Sequence, residues 1–153
     1  EIVVRYLAEA LAECCDEVTV AREPVLLRTR TVQHLCTELS ARRRPGAPVS
    51  LLDLVGRLHP TPAVAGAPSE AALEWLAAHE SLERGWFAGP VGYVQSDGDG
   101  EFAVALRSAL ARGRTASAWA GAGIVARSQP IAEFTETELK LRTVLGPLLW
   151  GAP

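Results

Sequence analysis

Apolar positions recur every three to four residues from Ile2 to Cys15, with Val3, Leu7, Ala10 or Leu11, and Cys14 on one side. This period predicts an amphipathic helix ending near Asp16. From Val25 to Leu39 the period shortens and Thr and Val accumulate, which predicts one long strand or two with a bend. Alternation then separates Val25, Leu27, Leu35 and Leu39 from Arg28, Arg30, His34 and Cys36. Arg42 to Pro48 has the Pro and Gly marks of a loop. Ser50 is placed to cap a short helix, Leu51 to Leu58, with its leucines and valine inward, and the prolines of His59-Pro60-Thr61-Pro62 stop it. Ala63 to Pro68 is a small-residue loop, and a helix of about ten residues follows from Ser69, with Leu73 and Leu76 inward and Glu70, Glu74 and Glu80 toward water. After Trp86 the pattern turns to strands: Phe87 to Gln95 and Glu101 to Arg107 form a hairpin about Asp97-Gly98-Asp99-Gly100, and Thr115 to Ala120 follow. The final element is a helix through Glu133 to Lys140.

The chain has 153 residues, 48% of them hydrophobic, enough for one domain with a core. Its net charge of -3 gives no reason to expect a nucleic-acid partner, and Arg42-Arg43-Arg44 is too short a run to change that. No apolar run is long enough to span a membrane. Cys14, Cys15 and Cys36 lack metal-ligand spacing and fit reduced thiols in a cytoplasm. With no Met anywhere and no leader pattern at Glu1, the sequence reads as part of something longer.

Candidate chemistry gathers in the last third. Glu133, Glu136 and Lys140 stand at i, i+3 and i+7, on one helical stripe. Lys140 is the lone lysine. Two carboxylates beside one ammonium make either a solvated salt-bridged face or a site holding a divalent cation with an anionic ligand. Arg107 alternates with Ala103 and Ala105, leaving room for a carboxylate, or else pairs with a nearby acid. Gly121-Ala122-Gly123 at a strand end exposes backbone amides suited to an oxyanion. Asp97, Asp99 and Glu101 lack the glycine spacing of a calcium loop. No P-loop, zinc spacing or nucleophile elbow is present, and no Ser or Cys has a nearby His.

The segments His34-Leu35-Cys36-Thr37, Leu58-His59-Pro60-Thr61-Pro62-Ala63-Val64-Ala65-Gly66, Gly85-Trp86-Phe87-Ala88-Gly89-Pro90-Val91-Gly92-Tyr93, Ala105-Leu106-Arg107-Ser108, Ala120 to Val125 and Glu133 to Lys140 resemble, in order, the C-terminal part of the chorismate-utilising enzymes, most closely the isochorismate synthases. The resemblance covers nearly all of residues 1–153. It implies an α+β fold with antiparallel and mixed sheets wrapped by helices, as in anthranilate synthase component I. It also implies chorismate as ligand and Mg²⁺ as cofactor. Residue by residue, it implies that Arg107, the Gly121, Ala122 and Gly123 backbone and Lys140 hold substrate carboxylates. Glu136 with Glu133 would hold Mg²⁺, Phe87, Leu106 and Trp119 would line the pocket, and His34 would stand by the reacting ring.

Ala63, with Val64 beside it, stands where relatives that use ammonia or make salicylate carry threonine. The resemblance therefore implies water as nucleophile, and isochorismate as product, with salicylate or anthranilate-type chemistry as the alternative. The family's general base, general acid and a further Mg²⁺-binding glutamate match nothing here and lie upstream of the matched region, so the remaining N-terminal part of the same enzyme is the implied partner. A non-catalytic remnant that binds a partner or a dicarboxylate is the other class of reading. Downstream use in menaquinone, siderophore or another aryl product stays open.

Overall fold

In the computed structural model, which describes residues 1–28, 33–46 and 48–150, helix α1 spans Ile2–Cys14, and the face the apolar period selects is the covered one. Val3, Leu7, Ala10 and Leu11 are half-buried and Cys14 is buried. Strand β1 (Cys15–Val20) leaves directly from the helix end, an element the sequence reading lacks. The Thr- and Val-rich stretch is a hairpin, β2 (Val25–Arg28) with β3 (Gln33–Cys36), and its Thr29 to Val32 lie outside the described residues. β4 (Leu39–Arg43) then pairs antiparallel with β1.

The hairpin corrects the expected faces. Leu27 stands opposite His34 and Val25 opposite Cys36, and directly opposed residues of an antiparallel ladder project to the same side. His34 therefore shares a face with Val25 and Leu27 rather than with Arg28, because folding back resets an alternation counted along one continuous strand.

The arginine run is likewise more than a loop. Arg42 and Arg43 lie on β4, where Arg42 pairs with Glu17 at 3.1 Å. Arg44 donates to Asp16 at 3.0 Å and to the carbonyls of Glu13 at 3.2 Å and Ala12 at 3.0 Å. Those carbonyls belong to the last turn of α1 and have no intrahelical partner, so the guanidinium caps the helix.

Helix α2 (Leu51–Leu58) starts at a full capping box. Ser50 Oγ accepts from the Asp53 N–H at 3.1 Å, and Asp53 accepts from the Ser50 N–H at 2.8 Å. Leu51, Leu54, Val55 and Leu58 are half-buried as expected, whereas Leu52 is exposed. The expected loop from Ala63 contains a one-turn helix, α3 (Pro62–Ala65), because proline's fixed φ suits the first helical position. Gly66 at φ 91° ends it, against Ala72. Helix α1 packs on α2, α3 and β4.

Helix α4 (Ser69–His79) forms as predicted, but Leu73 is 43% exposed, since apolar residues are spread around this helix. Trp75 is exposed as well and stacks on His79 at 4.6 Å between centroids. Glu80, expected in water, is half-buried, because Arg84 holds it with two bonds of 2.8 and 2.6 Å.

β5 (Pro90–Val94) and β6 (Gly100–Val104) form the predicted hairpin, with Gly98 at φ 92° in its turn. β7 (Ser108–Arg112) and β8 (Thr115–Trp119) form a second, tight one, pairing Arg112 with Thr115 and Ser108 with Trp119. Helix α5 (Pro130–Trp150) follows and packs on β8. The α+β class and the antiparallel pairing hold, although among the described residues the strands form four separate two-stranded sheets.

Two compact units result: Glu1–Leu73 with Val94–Gly100, and Glu74–Tyr93 with Glu101–Pro153. The core is thinner than the composition suggests. Among the described residues Cys14, Cys15, Ala65 and Ala88 are the buried hydrophobic ones, while Leu35, Trp86, Ile131 and Phe134 stand in the open.

Ser50→Ala should lower the thermal midpoint by about 2–4 °C, the effect of losing one helix cap. The bonds from Ser50 hold the Asp53 carboxyl below its ordinary range. That stabilisation is present above the normal carboxylate pKa and is lost as pH falls through the depressed one, so wild type and variant should converge in acid. Unfolding midpoints across pH check both points. Gly92→Ala should disrupt the β5–β6 hairpin, because a Cβ there collides with the Glu101 carbonyl and Phe102; loss of protection of the hairpin amides in hydrogen exchange is the readout.

Candidate active site

Helix α5 places Glu133, Glu136 and Lys140 on one stripe, and the structure shows what that stripe meets. Lys140 Nζ donates to the Gly121 carbonyl at 2.9 Å and lies 2.6 Å from Glu136 Oε1. The lysine side chain is 23% exposed and that of Glu136 55%. One ammonium therefore ties the helix to the loop that follows β8. The i,i+4 ion pair is the salt bridge that one reading of this stripe expected, and the bond to the Gly121 carbonyl is an addition to it.

The Glu136 carboxyl is held below the usual carboxylate range, first by the Lys140 hydrogen bond, then by its charge, with the Arg107 charge adding in the same direction. The field of Arg107 thus reaches the stripe. Its backbone setting differs from the expected one: β6 ends at Val104, and Arg107 occupies a bend before β7 with φ 50°. The β5–β6 pairing runs on there with two residues facing one. The Ala88 N–H donates to the Ala105 carbonyl at 2.9 Å and the Ala105 N–H to the Gly89 carbonyl at 2.8 Å, while the Leu106 N–H turns back to Val104. Strand alternation with Ala103 is lost, and a left-handed non-glycine residue at this point marks a constrained position.

Phe87 connects this bend to the glycine loop. Its ring lies beside Gly121, where a Cβ would meet Cζ at 3.5 Å, an ordinary van der Waals contact. Phe87 and Trp119 are half-buried and line a cleft of about 740 Å³ with Trp86, Val91, Leu110 and Arg112. Leu106 is 54% exposed. The second unit thus brings together Arg107, Gly121, Glu136 and Lys140, with Phe87 against the glycine and Glu133 half-buried one turn before Glu136. His34 on β3, with Ala63 and Val64 on α3, belongs to the first unit.

Sequence reasoning assigned Gly121 through its amide and missed its carbonyl. It also missed the buried Ala88, at φ 64° and 6% exposed, which anchors the Arg107 bend. The Gly85-to-Pro90 turn pattern was the available signal for the latter.

Among the described residues no three His, Cys, Asp or Glu side chains come together to hold a metal. The donor set of this stripe is two hard carboxylates one helical turn apart. That fits Mg²⁺, which takes one or two carboxylates and completes its shell with water and substrate oxygens.

Residues 1–149 match the model of the family described as "Chorismate binding enzyme". The chain belongs to that family. It is 44% identical over 148 residues to the isochorismate synthase MenF of Bacillus subtilis, covering 97% of this chain and 31% of that protein. It is 41% identical over 141 residues to the salicylate biosynthesis isochorismate synthase of Pseudomonas aeruginosa, covering 92% and 29%. Its fold is similar, with a TM-score of 0.83 and 33% identity, to the crystal structure from Bacillus anthracis described as a 2,3-dihydroxybenzoate-specific isochorismate synthase, DhbC, covering 96% of this chain and 39% of that one. The α+β chorismate-binding fold is thereby shown, and the chain spans about a third of the length of these relatives.

Lys140→Gln should raise the Glu136 pKa toward the ordinary carboxylate value, and Arg107→Gln should raise it less. NMR titration of labelled glutamate carboxyls checks the order; an unmoved Glu136 in the Lys140 variant contradicts the assigned cause.

Proposed function

We propose that the protein carrying this chain is an Mg²⁺-dependent isochorismate synthase: water adds at C2 of chorismate and the C4 hydroxyl leaves, giving isochorismate. The observation that carries the reading is the Lys140 ammonium joined to both Glu136 and the Gly121 loop, with the charge of Arg107 acting on the same carboxylate. Cations, backbone amides and paired carboxylates in one place are what a dicarboxylate bound with a hard cation requires. Membership of the family and the names of its relatives support the same substrate.

In this reading Arg107 holds a substrate carboxylate with two parallel hydrogen bonds, and the Gly121, Ala122 and Gly123 backbone with Lys140 receives carboxylate oxygens. Phe87, Leu106 and Trp119 give the ring an apolar wall. Glu136 and Glu133 would hold Mg²⁺, which when bound neutralises the ring carboxylate. For His34 the family resemblance implies a role at the reacting ring, and for Ala63 with Val64 it implies water as nucleophile. Proton transfer belongs to the remaining N-terminal part of the same protein. The two edges of every two-stranded sheet and the exposed apolar side chains suit that partner. A cytoplasmic setting fits the free thiols of Cys14, Cys15 and Cys36. No helix among the described residues is long and apolar enough to cross a membrane.

The intact protein, given chorismate and Mg²⁺, should form isochorismate, and chelation should stop it. Arg107→Lys should raise KM about 10- to 100-fold, the worth of a hydrogen-bonded charge pair. Ammonia-dependent amination, or salicylate with pyruvate, as the product would overturn the assignment.

A further inference from the structure

Cys14 and Cys15 take no part in the site described above, yet they are two of the four buried hydrophobic residues among those described, at 6% and 5% exposure. They occupy the junction where α1 stops and β1 begins, and the change of backbone from helical to extended brings adjacent side chains to one side: Cys14 Sγ lies 3.9 Å from Cys15 Sγ. The Arg44 guanidinium, bound to the carbonyls of Ala12 and Glu13 and to Asp16, fixes this junction from outside. Cys14 Sγ also approaches the carbonyls of Leu11 at 3.7 Å and Ala10 at 3.9 Å.

A direct sulfur–sulfur bond suits neighbouring residues poorly. Cα atoms joined by a trans peptide are about 3.8 Å apart, closer than the roughly 4.4–6.8 Å that disulfides span. A one-atom bridge suits them well. A three-coordinate pyramidal centre holding two sulfurs at about 2.3 Å, a length like that of zinc–thiolate bonds, sets them roughly 3.4 Å apart, a short closure from the 3.9 Å between Cys14 Sγ and Cys15 Sγ.

We infer that Cys14 and Cys15 form a chelating dithiol site for a single thiophilic centre of the trivalent arsenic class. The reaction with an organoarsenic(III) oxide balances without any oxidant: both S–H bonds break, two As–S bonds form, and the arsenic-bound oxygen leaves with the two protons as water. Burial slows attack by either thiol alone. Once one sulfur is bonded, the second is already at bridging distance, and the closed chelate is held by effective concentration. Exposed Cys36 has no such neighbour.

The test treats the reduced intact protein with one equivalent of phenylarsine oxide, washes with excess monothiol, and maps the retained adduct by mass spectrometry. The expected result is one phenylarsenic group on the peptide holding Cys14 and Cys15, released by a dithiol. Cys14→Ser and Cys15→Ser should each lose retention at least tenfold, with unchanged circular dichroism, and Cys36→Ser should retain it fully. Retention on Cys14→Ser or Cys15→Ser, or no adduct on folded wild type while the denatured protein forms one, overturns the assignment.

Discussion

The contact on which the candidate site depends is that of the Lys140 ammonium with two oxygens of different origin, the Gly121 carbonyl and the Glu136 carboxylate. The lysine extends from the middle of a 21-residue helix, so it fixes the register of the whole carboxylate stripe against the turn after β8. It also holds the Glu136 carboxyl below the usual carboxylate range. The two partners give it two roles: a carbonyl accepts without change of charge, while the carboxylate is the group for which a metal would compete.

Several features of this arrangement were legible in the sequence because they depend on local period. The stripe follows from 3.6 residues per turn, the cap of α2 from Ser50 and Asp53 three apart, and the β5–β6 hairpin from its Asp-Gly turn. What was not legible depends on pairing across the chain. β1, which lies past the expected helix end near Asp16, has no period of its own until β4 is there to pair with it, and His34 changes faces because β3 folds back on β2. Arg107 was placed on a strand by alternation, but Ala105 bonds to both Ala88 and Gly89, two residues against one, and no periodicity records such an irregularity. Leu73 was assigned inward by helical spacing, and α4 leaves it in the open.

The site residues divide as the two compact units do. The cations, the glycine loop and the paired carboxylates all lie in the second unit, while His34, Ala63 and Val64 lie in the first. The second unit therefore contains by itself the groups suited to holding a dicarboxylate, whereas the residues proposed to act at the ring come from elsewhere. Thin burial fits the same division: the second unit has a cleft walled by half-buried Phe87 and Trp119.

The most direct test of this account is a crystal structure of the intact protein with chorismate and Mg²⁺. The account predicts a substrate carboxylate against the Gly121 to Gly123 backbone with Arg107 and Lys140 in contact, and the metal on Glu136. Density placing both carboxylates away from Arg107 and Lys140, with Lys140 still bound to Glu136 and no metal there, would contradict it.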